Sequence, residues 1–408
     1  MNSIEQKFAE IAADYAPGQE KLTRSGDTSE GRRGENLPGA PVDFSHGDVD
    51  AFTPTPGSFE VFAEGVRAGA KQAYTVYRGK EEIRSQLAER IARFTGSPVD
   101  ALKELIITPG SQGALFLAVA SCVTAGDKIA IVEPDYFANR KIARFLGAEV
   151  LPVRLDYLGS RVGGDGAGLD LAQLENAFKA GVKAFLFSNP NNPSGVVYTD
   201  GEIRAIAKLA AKYGATLIAD ELYSRMIYDG RPYTHTRAPG VYPENCITLL
   251  GPSKTESLSG YRLGVGIGPA KLIDRMEKLQ AIVSLRAAGY NQAVLATWFA
   301  EPEGWLADRV RRHQAIRDDL VNAFAAMDGV AVRPTEAGCY LFPRLPDLAL
   351  PIQAFTRMVR EQAAVTVTPG TEFAPHTADS IRLNFSQNRE AALDAVARLG
   401  VMVQRYRK

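Results

Sequence analysis

The chain holds few of the residues that bind metals or cross-link a fold. Its three cysteines, Cys122, Cys246 and Cys339, lie far apart and form no Cys-x-x-Cys pair. That argues against a disulfide framework or a zinc site and for buried thiols in a reducing compartment. The four histidines, His46, His235, His313 and His376, lack metal-ligand spacing, so no metal is expected. Charge of one sign is not in surplus either: 47 basic residues balance 47 acidic ones. Such a chain is not expected to bind nucleic acid or anionic membranes through its overall charge. No apolar run reaches membrane-spanning length. The N-terminus lacks the basic segment and apolar core of a signal peptide. A cytoplasmic protein is expected, with no membrane or nucleic-acid partner.

What is present is ordinary globular material, 45% hydrophobic and 23% charged. At 408 residues the chain is too long for one core, so two domains are expected. Helical spacing runs from Ile4 to Tyr15, and Thr23 to Gly39 reads as an extended arm. From about residue 55, helices and short apolar strands alternate. The helices include Phe59–Ala70, Glu81–Thr95, Gly110–Val123 and Asp200–Tyr213. The strands are Glu104–Thr108, Lys128–Val132, Glu149–Arg154, Lys183–Phe187, Thr216–Ala219, Cys246–Leu250 and Leu263–Ile267. This pattern predicts an α/β fold, a mainly parallel sheet covered by helices. A long helical stretch from Pro269 through Trp298 towards Met327, with an irregular break between helices at Ser284–Tyr290, leads to a smaller α+β part. Its expected strands are Gly338–Pro343, Val365–Thr368 and Ser380–Phe385, and a last helix starts at Arg389. The expected division is 1–50, 51–295 and 296–408. Gly264-Val265-Gly266-Ile267-Gly268 has the wrong spacing for a dinucleotide loop and reads as close strand packing.

Lys254 follows the strand Cys246–Leu250, in Gly251-Pro252-Ser253-Lys254-Thr255-Glu256. Ligands of open α/β sheets bind where strands end. A lysine held there becomes an amine nucleophile for carbonyl compounds when desolvated or placed beside another cation. Pro109-Gly110-Ser111-Gln112 joins a strand to a helix, where free N–H groups and the helix dipole face an anion. Asp220 ends the strand Thr216–Ala219, and its neighbour Glu221 must point the other way. In Ile381-Arg382-Leu383-Asn384-Phe385, Arg382 points away from the apolar face, and its guanidinium fork suits a carboxylate.

These segments, with Asn189-Pro190-Asn191-Asn192-Pro193-Ser194-Gly195 and Asp220-Glu221-Leu222-Tyr223, together resemble the class I/II aminotransferases, fold-type I enzymes that use pyridoxal 5′-phosphate (PLP). The resemblance runs from about residue 40 to the C-terminus. It implies that residues 1–50 pack with the small domain. It implies a Schiff base between PLP and Lys254, whose freed amine then moves the substrate's Cα proton. Gly110, Ser111, Gln112, Ser253 and Arg262 would hold the phosphate, joined by Tyr74 from a second subunit. Related enzymes usually carry serine or threonine three residues before the lysine, where this chain has Gly251, so one phosphate contact is expected to be missing or replaced by water. Asp220 would pair with the ring nitrogen, Asn192 and Tyr223 with the phenolic oxygen, and Tyr136 would stack on the ring. Arg382, Asn192 and the backbone near Gly47 would take the substrate carboxylate.

The resemblance further implies cis bonds at Glu133-Pro134 and Asn192-Pro193, and a distal pocket met by Arg78, Arg286 and Tyr77, with Cys339 and Tyr340 nearby. The reaction it implies is ping-pong amino transfer between an L-amino acid and a 2-oxo acid, in a homodimer with shared sites. A PLP-dependent lyase acting by β- or γ-elimination is the alternative. A PLP-sensing regulator is disfavoured, since only about 40 residues precede the core and they are not strongly basic.

Overall fold

The computed structural model describes residues 4–11, 31–159, 168–241 and 244–408. In chain order the first half comprises α1 (Ile4–Ile11), β1 (Val42–Asp43), α2 (Ser58–Arg67), α3 (Ala70–Ala73), α4 (Glu81–Thr95), β2 (Leu105–Pro109), α5 (Gly110–Cys122), β3 (Lys128–Glu133), α6 (Phe137–Phe145), β4 (Glu149–Arg154), α7 (Leu171–Lys179), β5 (Ala184–Ser188), α8 (Asp200–Tyr213) and β6 (Thr216–Asp220). There follow β7 (Cys246–Leu250), β8 (Leu263–Ile267), α9 (Ala270–Val283), α10 (Trp305–Ala325), β9 (Tyr340–Leu341), α11 (Ile352–Ala363), β10 (Val365–Thr366), β11 (Thr368–Pro369), β12 (Ile381–Asn384) and α12 (Arg389–Tyr406).

Seven strands form the central sheet in the order β2-β8-β7-β6-β5-β3-β4. Only β8 runs against the rest, pairing antiparallel with both β2 and β7. The fold is α/β, with a mainly parallel sheet covered by helices, as the alternating pattern predicts. Strands β5 and β7 are buried along their whole length because helices cover both faces. Alternate residues feed two cores. Val132, Phe185, Phe187 and Leu217 pack against α7 and α8, while Ile131, Leu186, Ile218 and Leu249 pack against α5 and α9. The helix α8 is set by its ends: Thr199 and Glu202 form a capping box, and Gly214 closes it in the left-handed conformation.

A further core lies around the three-stranded antiparallel sheet β11-β12-β9 and helices α10, α11 and α12. The early segment joins it. Val42 and Asp43 of β1 pair with Val365 and Thr366 of β10, and Leu37 N–H donates to the Gln362 carbonyl at 2.6 Å. Residues 12–30, which include 23–30 of the expected arm and the end of the expected first helix, lie outside the described residues.

The helical stretch from Pro269 towards Met327 breaks where an irregular segment is expected, at Ser284–Tyr290, and again at Phe299, where none is expected. Helix α9 ends at Val283, Leu285 takes a positive φ of 60°, a 3-10 helix covers Tyr290–Thr297, and Phe299 turns again with φ 58°. Helical spacing persists through the breaks because the 3-10 turns also bury Val294 and Leu295.

Candidate active site

The carboxyl ends of β2, β3, β5, β6 and β7 share one edge of the sheet, and β8 enters from that edge. There a cavity of about 320 Å³ opens, lined by Ser111, Gln112, Tyr136, Asn192, Asp220, Tyr223, Ser253, Lys254, Arg262 and Arg382, with Ser45, His46, Tyr340 and Thr368 among the other walls. Ser45, Tyr340, Thr368 and Arg382 come from the segments around the smaller sheet, so the cavity lies where the cores meet.

One end is built for an anion. Strand β2 turns into α5 at Gly110, whose φ is 75° and where a Cβ would stand 2.7 Å from the Arg262 guanidinium. Only glycine lets that cation approach. The Ser111 hydroxyl is buried with no hydrogen-bond partner, and it stands in the first turn of α5, where backbone N–H groups are free. Arg262 is held by a left-handed turn, φ 53°, and donates to the Ser259 carbonyl at 3.1 Å. Gly264 has no room for a side chain, because a Cβ would run into the backbone of Gly110 and Ser111. At Gly251 a Cβ would overlap the Ser111 hydroxyl. The side chain absent three residues before Lys254 therefore has its space taken by Ser111.

Deeper in, Asp220 ends β6 facing the cavity. Burial pushes its carboxyl up to about 6; the Leu222 N–H, donating at 3.1 Å, opposes this and the neighbouring Glu221 adds to it. Glu221 points the other way, as strand alternation requires, onto His235 Nδ1 at 2.5 Å and the Thr236 hydroxyl at 2.7 Å. The Tyr223 hydroxyl meets that of Tyr340 at 3.1 Å, and burial drives Tyr223 well above the ordinary tyrosine range. Tyr136 is raised to about 12, chiefly by burial and then by Tyr340.

Sequence reasoning missed Asp135, a buried carboxyl raised by burial to about 7. It accepts from the Ser188 hydroxyl at 2.5 Å and the Ser188 N–H at 2.9 Å, and the Ser188 oxygen in turn accepts from Asn192 N–H at 3.1 Å. It thereby ties the ends of β3 and β5 to the Asn192 turn.

At the other end Arg382 donates to Asn192 Oδ1 at 3.1 Å and to the Ser45 carbonyl at 3.2 Å. Its guanidinium lies 4.2 Å from the centre of the Tyr340 ring and 4.7 Å from that of Phe373. Its Nε is buried without a partner. Lys254 lines the same cavity and is half-buried. Its loop is clamped by Arg309, which donates to the Thr255 carbonyl at 2.9 Å and the Ser257 hydroxyl at 2.8 Å.

The remaining expected residues lie elsewhere. Gly47 lines a neighbouring cavity that shares Lys254, Ser253 and His46. Tyr74 stands 81% exposed, outside the cavity. Arg78 does not line the cavity but is engaged by Asp274 and Glu277 at 2.6 Å, so it is not free to meet a ligand. Arg286 lies over the rings of Tyr74 and Tyr77 and donates to the Thr75 carbonyl, also outside the cavity. Of the two expected cis bonds, Glu133-Pro134 is cis, but the other cis bond is Asn189-Pro190, not Asn192-Pro193. All X-Pro bonds share the same small trans preference, so residue type does not choose among the prolines of that turn. Among the described residues no His, Cys, Asp and Glu gather as a metal site.

An orphaned hydroxyl and a guanidinium at a helix start, with a carboxylate and an amine on the same cavity, suit a phosphorylated pyridine aldehyde, and the chain falls among the enzymes that use PLP. The family model for aminotransferases of class I and II matches residues 42–399. The chain belongs to that family and is a PLP-dependent aminotransferase. It is similar to an aspartate aminotransferase structure from Rhodobacter sphaeroides, with 58% identity over the whole of both chains and a TM-score of 0.93. It is 27% identical to the arginine–pyruvate transaminase of Pseudomonas aeruginosa, over 88% of each chain. It is 28% identical to the aspartate/prephenate aminotransferase of Thermus thermophilus, over 85% of this chain and 88% of the relative.

Proposed function

We propose that the cavity around Lys254 is the transamination site and that its residues divide the work as follows. When bound, PLP supplies an aldehyde for the substrate's amine and a ring that takes up the electron pair left on Cα. Lys254 would hold the cofactor by its aldehyde, and its amine, when free, would move the proton of the substrate's Cα. Ser111, Gln112, Ser253, Arg262 and the N–H groups beside Gly110 bind the phosphate. Asp220, ionised, keeps the ring nitrogen protonated. Asn192 and Tyr223 donate to the phenolic oxygen, and Tyr136 covers one ring face. Arg382 receives the substrate's α-carboxylate beside Asn192, with the Gly47 backbone on the far side. The observation that carries this reading is that Lys254, Asp220 and Arg382, from three separate parts of the chain, line one cavity.

The working unit is a homodimer in which Tyr74 completes the partner's phosphate site. In support, Tyr74, Val76, Ile282, Val283 and Leu285 are all more than half exposed, an uncommon number of large apolar side chains to leave in water. Residues 1–50, 51–295 and 296–408 act as arm, large domain and small domain. Three unpaired cysteines suit the cytoplasm. Aspartate, named for the Rhodobacter sphaeroides neighbour, is the first donor to test.

The experiment mixes purified holoenzyme with single amino acids and follows the visible spectrum. Conversion to the pyridoxamine form is expected for the true donor, whereas ammonia and an oxo acid without that conversion would identify a lyase. Lys254→Ala should abolish the visible absorption of the lysine-bound cofactor and nearly all turnover. Borohydride label recovered on any residue but Lys254 would overturn the assignment, and a fully active monomer in sedimentation would overturn the shared site.

A further inference from the structure

Tyr340 touches both halves of the site. Strand β9 pairs with β12 so that Tyr340 stands opposite Asn384, with Arg382 two residues along on the same face. A long side chain reaches that diagonal neighbour, and the Tyr340 ring lies 4.2 Å from the Arg382 guanidinium. The other end of the ring points at Tyr223. The two rings meet edge to face, 5.6 Å apart and at 76°, with their hydroxyls at 3.1 Å. Tyr340 is only 4% exposed and faces the cavity. Its backbone is fixed: the Thr335 hydroxyl donates to the Tyr340 carbonyl at 2.6 Å, and the preceding Gly338, with φ 77°, lies against the Tyr223 ring.

The hydroxyl pair has a consequence. Tyr223 has one proton, and in this structure it donates that proton to Tyr340. To donate to an anionic oxygen in the cavity, Tyr223 must turn its proton away, and its oxygen is then free to accept. A phenylalanine at position 340 could not refill that bond. A tyrosine can, because each hydroxyl both donates and accepts. Donors in series strengthen one another in a low-dielectric site.

We propose that Tyr340 is a positioning residue with two separable parts: a ring that holds Arg382 for the substrate carboxylate, and a hydroxyl that backs Tyr223 as donor to the cofactor's phenolic oxygen. This rests on the PLP site proposed above. The ring makes Arg382 a better receptor by holding the fork flat in a desolvated place. The hydroxyl makes the anionic phenolic oxygen more stable, which lowers the pH at which the lysine-bound cofactor loses its proton.

Two variants separate the parts. Tyr340→Phe keeps the ring. It should raise the spectroscopic pH midpoint of the lysine-bound cofactor by about half a unit and leave the binding of propionate, a carboxylate without an amine, unchanged. Tyr340→Leu loses both parts and should also weaken propionate about tenfold. Propionate binding is measured by calorimetry on apoprotein as well as holoenzyme, and thermal unfolding confirms that each variant folds. An unchanged midpoint in Tyr340→Phe overturns the role of the hydroxyl. Wild-type propionate affinity in Tyr340→Leu overturns the role of the ring. Failure of the wild-type protein to develop visible absorption with PLP would instead overturn the cofactor site itself, so the two failures are distinguishable.

Discussion

Asp220 should make the apoprotein less stable at neutral pH, and replacing it with asparagine should reveal by how much. Its carboxyl is raised from 3.8 to about 6, first by burial and then by the charge of Glu221. A raised acid binds its proton more tightly in the folded chain than in the unfolded one. Stability therefore falls as pH climbs from 3.8 towards 6, and the full penalty is present above that window. A shift of two units corresponds to about 3 kcal/mol. An asparagine in place of the aspartate keeps an oxygen for the Leu222 N–H and has no charge to desolvate. The stability of Asp220→Asn minus wild type should thus be small near pH 3.5, grow through pH 4–6, and level off at about 3 kcal/mol. Asp135, raised to about 7 partly by Asp220, loses that repulsion in the variant, so the rise should continue towards pH 7. Urea unfolding of both apoproteins at half-unit steps from pH 3.5 to 8 measures the difference. PLP should then stabilise the wild type more than the variant, since only a carboxylate pairs with a protonated ring nitrogen. A difference independent of pH, or one that favours the wild type above pH 6, would refute the reasoning.

Gly251→Ala should weaken PLP binding to the apoprotein by roughly 1–3 kcal/mol, because the new methyl overlaps the Ser111 hydroxyl. Adding Ser111→Ala removes the overlap, so the double variant should bind no worse than Ser111→Ala alone; strict additivity in a fluorescence titration would count against the shared space. Arg382→Lys should raise KM for the amino acid by about a hundredfold with a smaller fall in kcat, as one point charge replaces a fork; steady-state kinetics with each substrate varied in turn would show it.

Much of the fold is legible because the helices and strands of an α/β sheet carry their own punctuation. The helix Asp200–Tyr213 is read to the residue, since a Thr199–Glu202 box opens it and Gly214 closes it. The strands Glu149–Arg154 and Leu263–Ile267 are likewise read to the residue. In the stretch after Pro269 the irregular segment Ser284–Tyr290 is legible as a break between helices, but the second break is not. The apolar residues keep helical spacing there, and the left-handed turn at Phe299 falls on a residue whose side chain disfavours it. Tertiary packing overrules local preference at that point.

The site divides along the same line. Residues proposed to act through their own chemistry, Lys254, Asp220 and Arg382, stand out because position and residue type agree. Residues that act by holding another do not. Asp135 is one aspartate after a strand until Ser188, 53 residues later, comes to lie against it. Tyr340 reads from the sequence as a candidate to line the pocket, which it does, but only the pairing of β9 with β12 reveals its ring against Arg382. Arg78 errs in the opposite sense. The family resemblance makes it a candidate for the distal pocket, yet Asp274 and Glu277, about two hundred residues away, claim it. Whether a charged side chain is free to act is decided by its partners, and those are assembled by the fold rather than written beside it in the chain.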